Sequence, residues 1–129
     1  RKGTRGEVKN RIEEKLSVII FPEGTTHKGP GLLEYKMGMF KMCADGGFPI
    51  CPIAMEYRHP DVAWVSNDLF IPHAFKVFGH RYIDVAVRFG EVQYGDDPVE
   101  LRQRIHDWTS QACAEMRANW DAQERESEA

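Results

Sequence analysis

Cysteine is scarce in this chain. Three occur in 129 residues, Cys43, Cys51 and Cys113, and no two of them form a C-x-x-C pair. An odd, scattered set excludes a disulfide framework and a zinc site, and fits buried, reduced thiols of a cytosolic kind. Long apolar runs are missing too; none approaches the ~18–20 residues that a membrane-spanning helix needs. Positive charge is in deficit, with a formal net charge of −3, which argues against nucleic acid as a partner. There is no G-x-x-x-x-G-K-[ST] and no G-x-G-x-x-G, so phosphate-loop and dinucleotide-binding readings fall away. Neither a metal nor a cofactor is called for.

What remains is an ordinary globular composition, 42% hydrophobic and 29% charged, enough for one domain with a real core. That domain is expected over residues 1–122, with 123–129 a disordered acidic tail. The charge is uneven: residues 1–15 carry six Lys/Arg against three Glu, and 96–129 carry nine Asp/Glu against four Arg. The basic start suits a phosphate or membrane surface, or simply a solvated helix face.

Periodicity predicts a short helix over Gly6–Lys15 and an unalternating β-branched run, Leu16–Phe21, that suits a strand covered on both faces. A loop follows over Pro22–Gly31 and a helix over Met37–Ala44, stopped by Gly46 and Gly47. Phe48–Tyr57 reads as a second buried strand whose Pro49 and Pro52 imply an irregular start or an edge position. Val62–Val65 suits a short strand. Phe70–Tyr82 is open between types, and Tyr82–Phe89 is an alternating strand. The last helix has the clearest start, with Asp97 as cap, Pro98 in the first turn and Glu100 three residues after the cap. Leu101, Ile105, Trp108, Ala112 and Met116 form its apolar stripe. Strand, loop, helix, strand in this order predicts an α/β fold with a mixed, largely parallel sheet flanked by helices.

In such sheets ligands bind beyond the carboxyl ends of strands, where Pro22-Glu23-Gly24-Thr25 would stand. Gly24 permits close backbone approach. Thr25 and Thr26 offer hydroxyls, loop N–H groups can cradle an oxyanion, and Lys28 adds charge. Glu23 is the odd member, because a carboxylate repels phosphate. It suits orienting a cation, accepting from a sugar or glycerol hydroxyl, or pinning the loop through backbone N–H groups. The alternative is a plain strand-to-helix turn.

Three blocks in order, Phe21-Pro22-Glu23-Gly24-Thr25, Tyr35-Lys36-Met37-Gly38-Met39-Phe40 and Pro49-Ile50-Cys51-Pro52-Ile53-Ala54, resemble the glycerolipid acyltransferases of the 1-acylglycerol-3-phosphate and lysophospholipid type. The resemblance covers about residues 16–57 and is looser beyond, where Val87–Glu91 reads "VRFGE". It implies the C-terminal half of a glycerol-3-phosphate acyltransferase-like domain. It also implies acyl transfer from acyl-CoA or an acyl carrier protein to a lysophosphatidic acid or lysophospholipid hydroxyl, at the cytoplasmic face of a membrane. The family binds the acceptor's glycerol phosphate with its Glu-Gly-Thr block and an upstream Arg. That assigns substrate binding to Glu23, Gly24, Thr25 and Thr26, and to Arg1, with Arg5 the lesser candidate. Two departures stand out. Thr26 occupies a position where many members have Arg. And the H-x-x-x-x-D motif that supplies the general base has no counterpart: Leu32, Trp64, Phe78, Val85 and Gln111 stand five residues after the five histidines. The base is therefore expected upstream, and this chain is expected to be inactive alone. The rival reading is a noncatalytic anion- or lipid-binding domain derived from the same fold.

Other residues have simpler readings. His27 is a loop histidine within reach of a ligand phosphate or merely solvated. His73 and His80 flank an aromatic stretch whose Phe70, Phe75 and Phe78 are expected in the core, against the alternative of meeting an acyl chain or lipid. Met37, Met39 and Met42, like Trp108 and Trp120, are expected as packing residues.

Overall fold

The computed structural model describes residues 2–27, 29–59, 62–63 and 69–128. Their elements run α1 (Lys2–Glu13), α2 (Met37–Gly46), β1 (Ile53–Tyr57), α3 (Phe70–Phe78), β2 (Val85–Phe89) and α4 (Pro98–Glu128). Among the described residues none of these helices is long and apolar enough to cross a membrane.

α4 organises the rest. Asp97 Oδ1 accepts from the Val99 and Glu100 N–H groups at 2.8 and 3.2 Å, satisfying donors that a helix start leaves open. Over 31 residues, about 46 Å of rod, the helix buries Leu101, Ile105, Thr109, Ala112, Cys113 and Met116. Trp108, expected in that stripe, is half-buried at its margin. Thr109 takes the central position because its hydroxyl donates back to the Ile105 carbonyl at 2.8 Å and so enters the core satisfied. The first half of α4 packs Leu101 and Ile105 against Tyr35 and Phe40; the second packs Ala112, Cys113 and Met116 against Ala54. The helix runs on through 123–128, the segment read as a disordered tail, where Arg58 reaches Glu124 at 2.9 Å.

The sheet is not largely parallel. It is a two-stranded antiparallel ribbon in which Ile53 faces Phe89, Met55 faces Val87 and Tyr57 faces Val85. The large apolar members of those pairs point away from α4 and are exposed, whereas Ala54 is fully buried beneath the helix. Small residues lie inward because α4 sits close. The inward charges reach it as ion pairs, Glu56 with Arg117 at 2.7 Å and Arg88 with Glu115. The prolines act as expected. Only from Ile53 does a regular ladder run, with Ile50 and Gln93 bridged before it and Gly90 N–H donating to the Pro52 carbonyl at 2.9 Å.

Leu16–Phe21 is not a buried strand. All six residues are exposed and none lies in a strand. A strand exists only where a neighbour takes its N–H and C=O groups, and the described residues supply none. α1 starts and ends earlier than predicted; Lys15, with φ at 64°, closes it through Leu16 N–H to the Arg11 carbonyl and Lys15 N–H to that of Ile12. α2 ends where its glycines predict, with Gly47 in the left-handed region. Val65 lies outside the described residues, and Val62 sits in a turn closed by its N–H to the His59 carbonyl. The open stretch is helical as α3. Its Phe75 and Phe78 are exposed rather than in the core.

Candidate functional site

Glu23 is the centre of a small network. Its Oε2 accepts from the Leu33 N–H at 2.9 Å and lies 3.1 Å from His27 Nε2. His27 Nδ1 in turn accepts from the Gly29 N–H at 2.9 Å. The carboxylate thus spans its own loop and ties both limbs together. Gly24 has φ at +68°, and a Cβ there would overlap the Lys36 ammonium. Only glycine allows this turn together with this close approach of a cation. Lys36 N–H donates to the Pro22 carbonyl at 2.9 Å and closes the loop's base. Thr25 and Thr26 are exposed.

The Leu33 peptide is held from both sides. While its N–H serves Glu23, its carbonyl meets His106 Nε2 at 3.2 Å. Next to it, Arg102 donates to Glu34 at 2.9 Å and to the Tyr35 carbonyl at 3.1 Å, and the Tyr35 ring meets His106 edge-on with centroids 4.7 Å apart. The first turns of α4 therefore clamp residues 33–35, and these fix Glu23. None of this showed in the sequence, because Leu33 contributes only backbone and His106 lies 73 residues away. Lys36 supports the loop through its backbone N–H.

The structure brings together Glu23, Gly24, His27, Leu33 and Lys36. Arg1 and Lys28 lie outside the described residues. Arg5 lies against Gly38 and lines a cleft of about 290 Å³ with Lys9, Lys41 and Asp45, where Lys41 is paired to Asp45 at 3.3 Å. Pro22 does not follow a strand, so a position at a strand's carboxyl end does not account for the loop. Among the described residues no cluster of His, Cys, Asp and Glu could hold a metal ion. The loop presents two hydroxyls and a cation beside a carboxylate whose Oε2 is already engaged, an arrangement suited to holding a polar, anionic group.

The acyltransferase family model matches residues 1–56, which contain this loop and its supports up to β1. Residues 1–56 of the chain are thus similar to the acyltransferase family. The acyltransferase match extends further in individual relatives. The 1-acyl-sn-glycerol-3-phosphate acyltransferase of Escherichia coli (strain K12) is 31% identical over 116 residues, 88% of this chain and 44% of that protein. The enzyme of the same name from Haemophilus influenzae is 40% identical over 57 residues, 43% of this chain and 24% of that protein. The lyso-ornithine lipid O-acyltransferase of Rhizobium meliloti is 30% identical over 112 residues, 70% of this chain and 38% of that protein. The chain spans less than half the length of each of these. No solved structure matches it.

Proposed function

We propose that this chain is the acceptor-binding portion of an acyltransferase. The whole protein would move a fatty acyl group from acyl-CoA or an acyl carrier protein to the hydroxyl of a lysophosphatidic acid or lysophospholipid, at a membrane face. The observation that carries the reading is the family match across residues 1–56, with the Glu23–Thr25 loop inside it and relatives named for acylating lyso-lipids. Of the roles open to Glu23, the geometry favours pinning the loop, since its Oε2 is taken by Leu33 N–H and His27. Contact with the acceptor phosphate then falls to Thr25, Thr26 and Lys36, with Arg1 as a further cation. The alternative, a noncatalytic anion- or lipid-binding domain, draws on the lack of an H-x-x-x-x-D motif in these 129 residues.

Steady-state kinetics on the full-length enzyme, each substrate varied in turn, test the proposal. Losing a hydrogen bond to a charged group costs about 1.5–3 kcal/mol, roughly 10- to 150-fold. Thr25→Ala should therefore raise the acceptor KM by about that factor and leave the donor's nearly unchanged. A change confined to the donor, or none, removes the loop from the acceptor site. The 129-residue chain alone should show no turnover, because general acid–base catalysis contributes about 10²–10⁴-fold and its base is missing. A full-length product without the motif and without turnover would favour the binding-domain alternative.

A further inference from the structure

His27 has both ring nitrogens engaged within its own loop. Nδ1 accepts from the Gly29 N–H at 2.9 Å, so it carries no proton. The neutral ring's proton therefore sits on Nε2, which donates to Glu23 Oε2 at 3.1 Å. That bond closes residues 23–27 into a ring whose chain includes Gly24, Thr25 and Thr26. The bond to Gly29 is a turn of the Asx type, with an imidazole nitrogen in the place of an Asn oxygen. Glu23 reaches Leu33 with the same oxygen. The limb that carries the two threonines thus hangs on His27, and the other limb on Leu33. The His27 and Glu23 side chains are only 28% and 21% exposed, so water competes weakly for the bond between them.

The arrangement takes two roles from His27 and leaves a third. The neutral ring has one lone pair, and it is spent on the Gly29 N–H. None is left to draw a proton from an acceptor hydroxyl, so His27 does not stand in for the missing general base. The ring has one N–H, and it is spent on Glu23, so none is left to donate to a phosphate. We propose that His27 is a positioning residue for the acceptor loop: by holding Glu23 through Nε2–H, it sets the place of Thr25 and Thr26. The inference rests on the reading of this loop as the acceptor site, and it names the side chain that keeps the loop in its binding shape. A loop closed in advance loses less conformational freedom when a ligand arrives, so the closure adds affinity without touching the ligand. The effect belongs to acceptor binding and not to the chemical step, because His27 gives nothing to the reacting atoms.

The test is steady-state kinetics of the full-length enzyme with lysophosphatidic acid as acceptor. His27→Leu, His27→Gln and His27→Asn are measured beside Thr25→Ala. His27→Leu loses both bonds and should raise the acceptor KM about tenfold, with kcat and the donor KM within about twofold of the parent. His27→Gln keeps a donor for Glu23 and should recover most of the loss. His27→Asn keeps an acceptor for the Gly29 N–H but is too short for Glu23, and should behave as His27→Leu does. Nitrogen NMR of the imidazole in the 129-residue chain gives a readout apart from activity. His27 should be a single tautomer with its proton on Nε2. A proton on Nδ1 overturns the inference, as does rescue by Asn but not by Gln, or a fall in kcat alone. So does an acceptor KM left unchanged by His27→Leu while Thr25→Ala raises it; the acceptor reading then stands without His27. If Thr25→Ala itself is silent, the acceptor reading falls and this inference with it.

Discussion

Removing the Glu23 carboxylate should loosen the loop at Leu33 without unsettling the core beneath the second half of α4. Its Oε2 accepts from the Leu33 N–H at 2.9 Å, and the Glu23 side chain is only 21% exposed, so solvent screens the bond weakly. A hydrogen bond to a charged group contributes about 1.5–3 kcal/mol, and local opening at Leu33 should become about 10- to 150-fold more frequent in Glu23→Ala. Hydrogen exchange read amide by amide by NMR would show it: the Leu33 amide accelerates by that factor, while the amides of Thr109–Met116 keep their rates. Glu23→Gln keeps a neutral acceptor worth about 0.5–1.5 kcal/mol and should fall between. A Leu33 amide whose rate stays within about twofold of the parent in Glu23→Ala would refute the argument, because the loop would then be held by something other than its carboxylate. Acceleration spreading as far as Thr109–Met116 would refute the confinement of the effect to the loop and its clamp.

Gly90→Ala places a Cβ 2.7 Å from the Trp108 ring and 2.8 Å from Pro52 Cγ. Overpacking of this kind costs about 1–3 kcal/mol and should lower the melting temperature by on the order of 5–10 °C. Gly6→Ala, in a helix and with nothing within 4 Å of its Cβ, should leave it unchanged or raise it; circular dichroism melts that fail to separate the two contradict the packing described here. Burial, and next the Glu56 carboxylate, push the Cys113 thiol up from 9.0 to about 11, and burial raises the Tyr35 phenol as well. The unfolded chain loses these protons first, so stability is full below pH ~9 and falls as pH rises toward ~11. Cys113→Ala should flatten that fall in melts run across the window, and an identical slope would exclude the thiol as its source.

Where structure follows from neighbours in sequence, it was legible. Asp97, Pro98 and Glu100 announce α4, and its apolar stripe was placed correctly except where Trp108 yields the centre to Thr109. Gly46 and Gly47 mark the end of α2, Gly47 because it takes the left-handed turn and Gly46 because the Phe48 ring leaves no room for a Cβ. What depends on distant partners was not legible. Leu16–Phe21 has every strand propensity but no strand beside it among the described residues, and that one misreading also produced the parallel sheet. In β2, alternation was visible, but not that the valines face away and Ala86 faces α4. Phe70–Tyr82 could not be typed because its aromatic face lacks the core that such a face normally implies. The Glu23–Thr25 loop was recognisable from its residue types. Its clamp was not, since a Leu33 peptide and a histidine late in the chain leave no local pattern.

Alanine sets the gap between ribbon and rod: Ala54 and Ala86 on one side, Ala112 on the other. The same rod carries the His106 and Arg102 clamp on the loop. Mechanically this is a long bar mounted on a thin shim, and the loop's position inherits the shim's thickness. A single added methyl group at Ala54 would tilt the bar and displace the Leu33 peptide. In a mutational scan such a residue would score alongside the loop's own residues, though it lies beneath α4 and not in the loop.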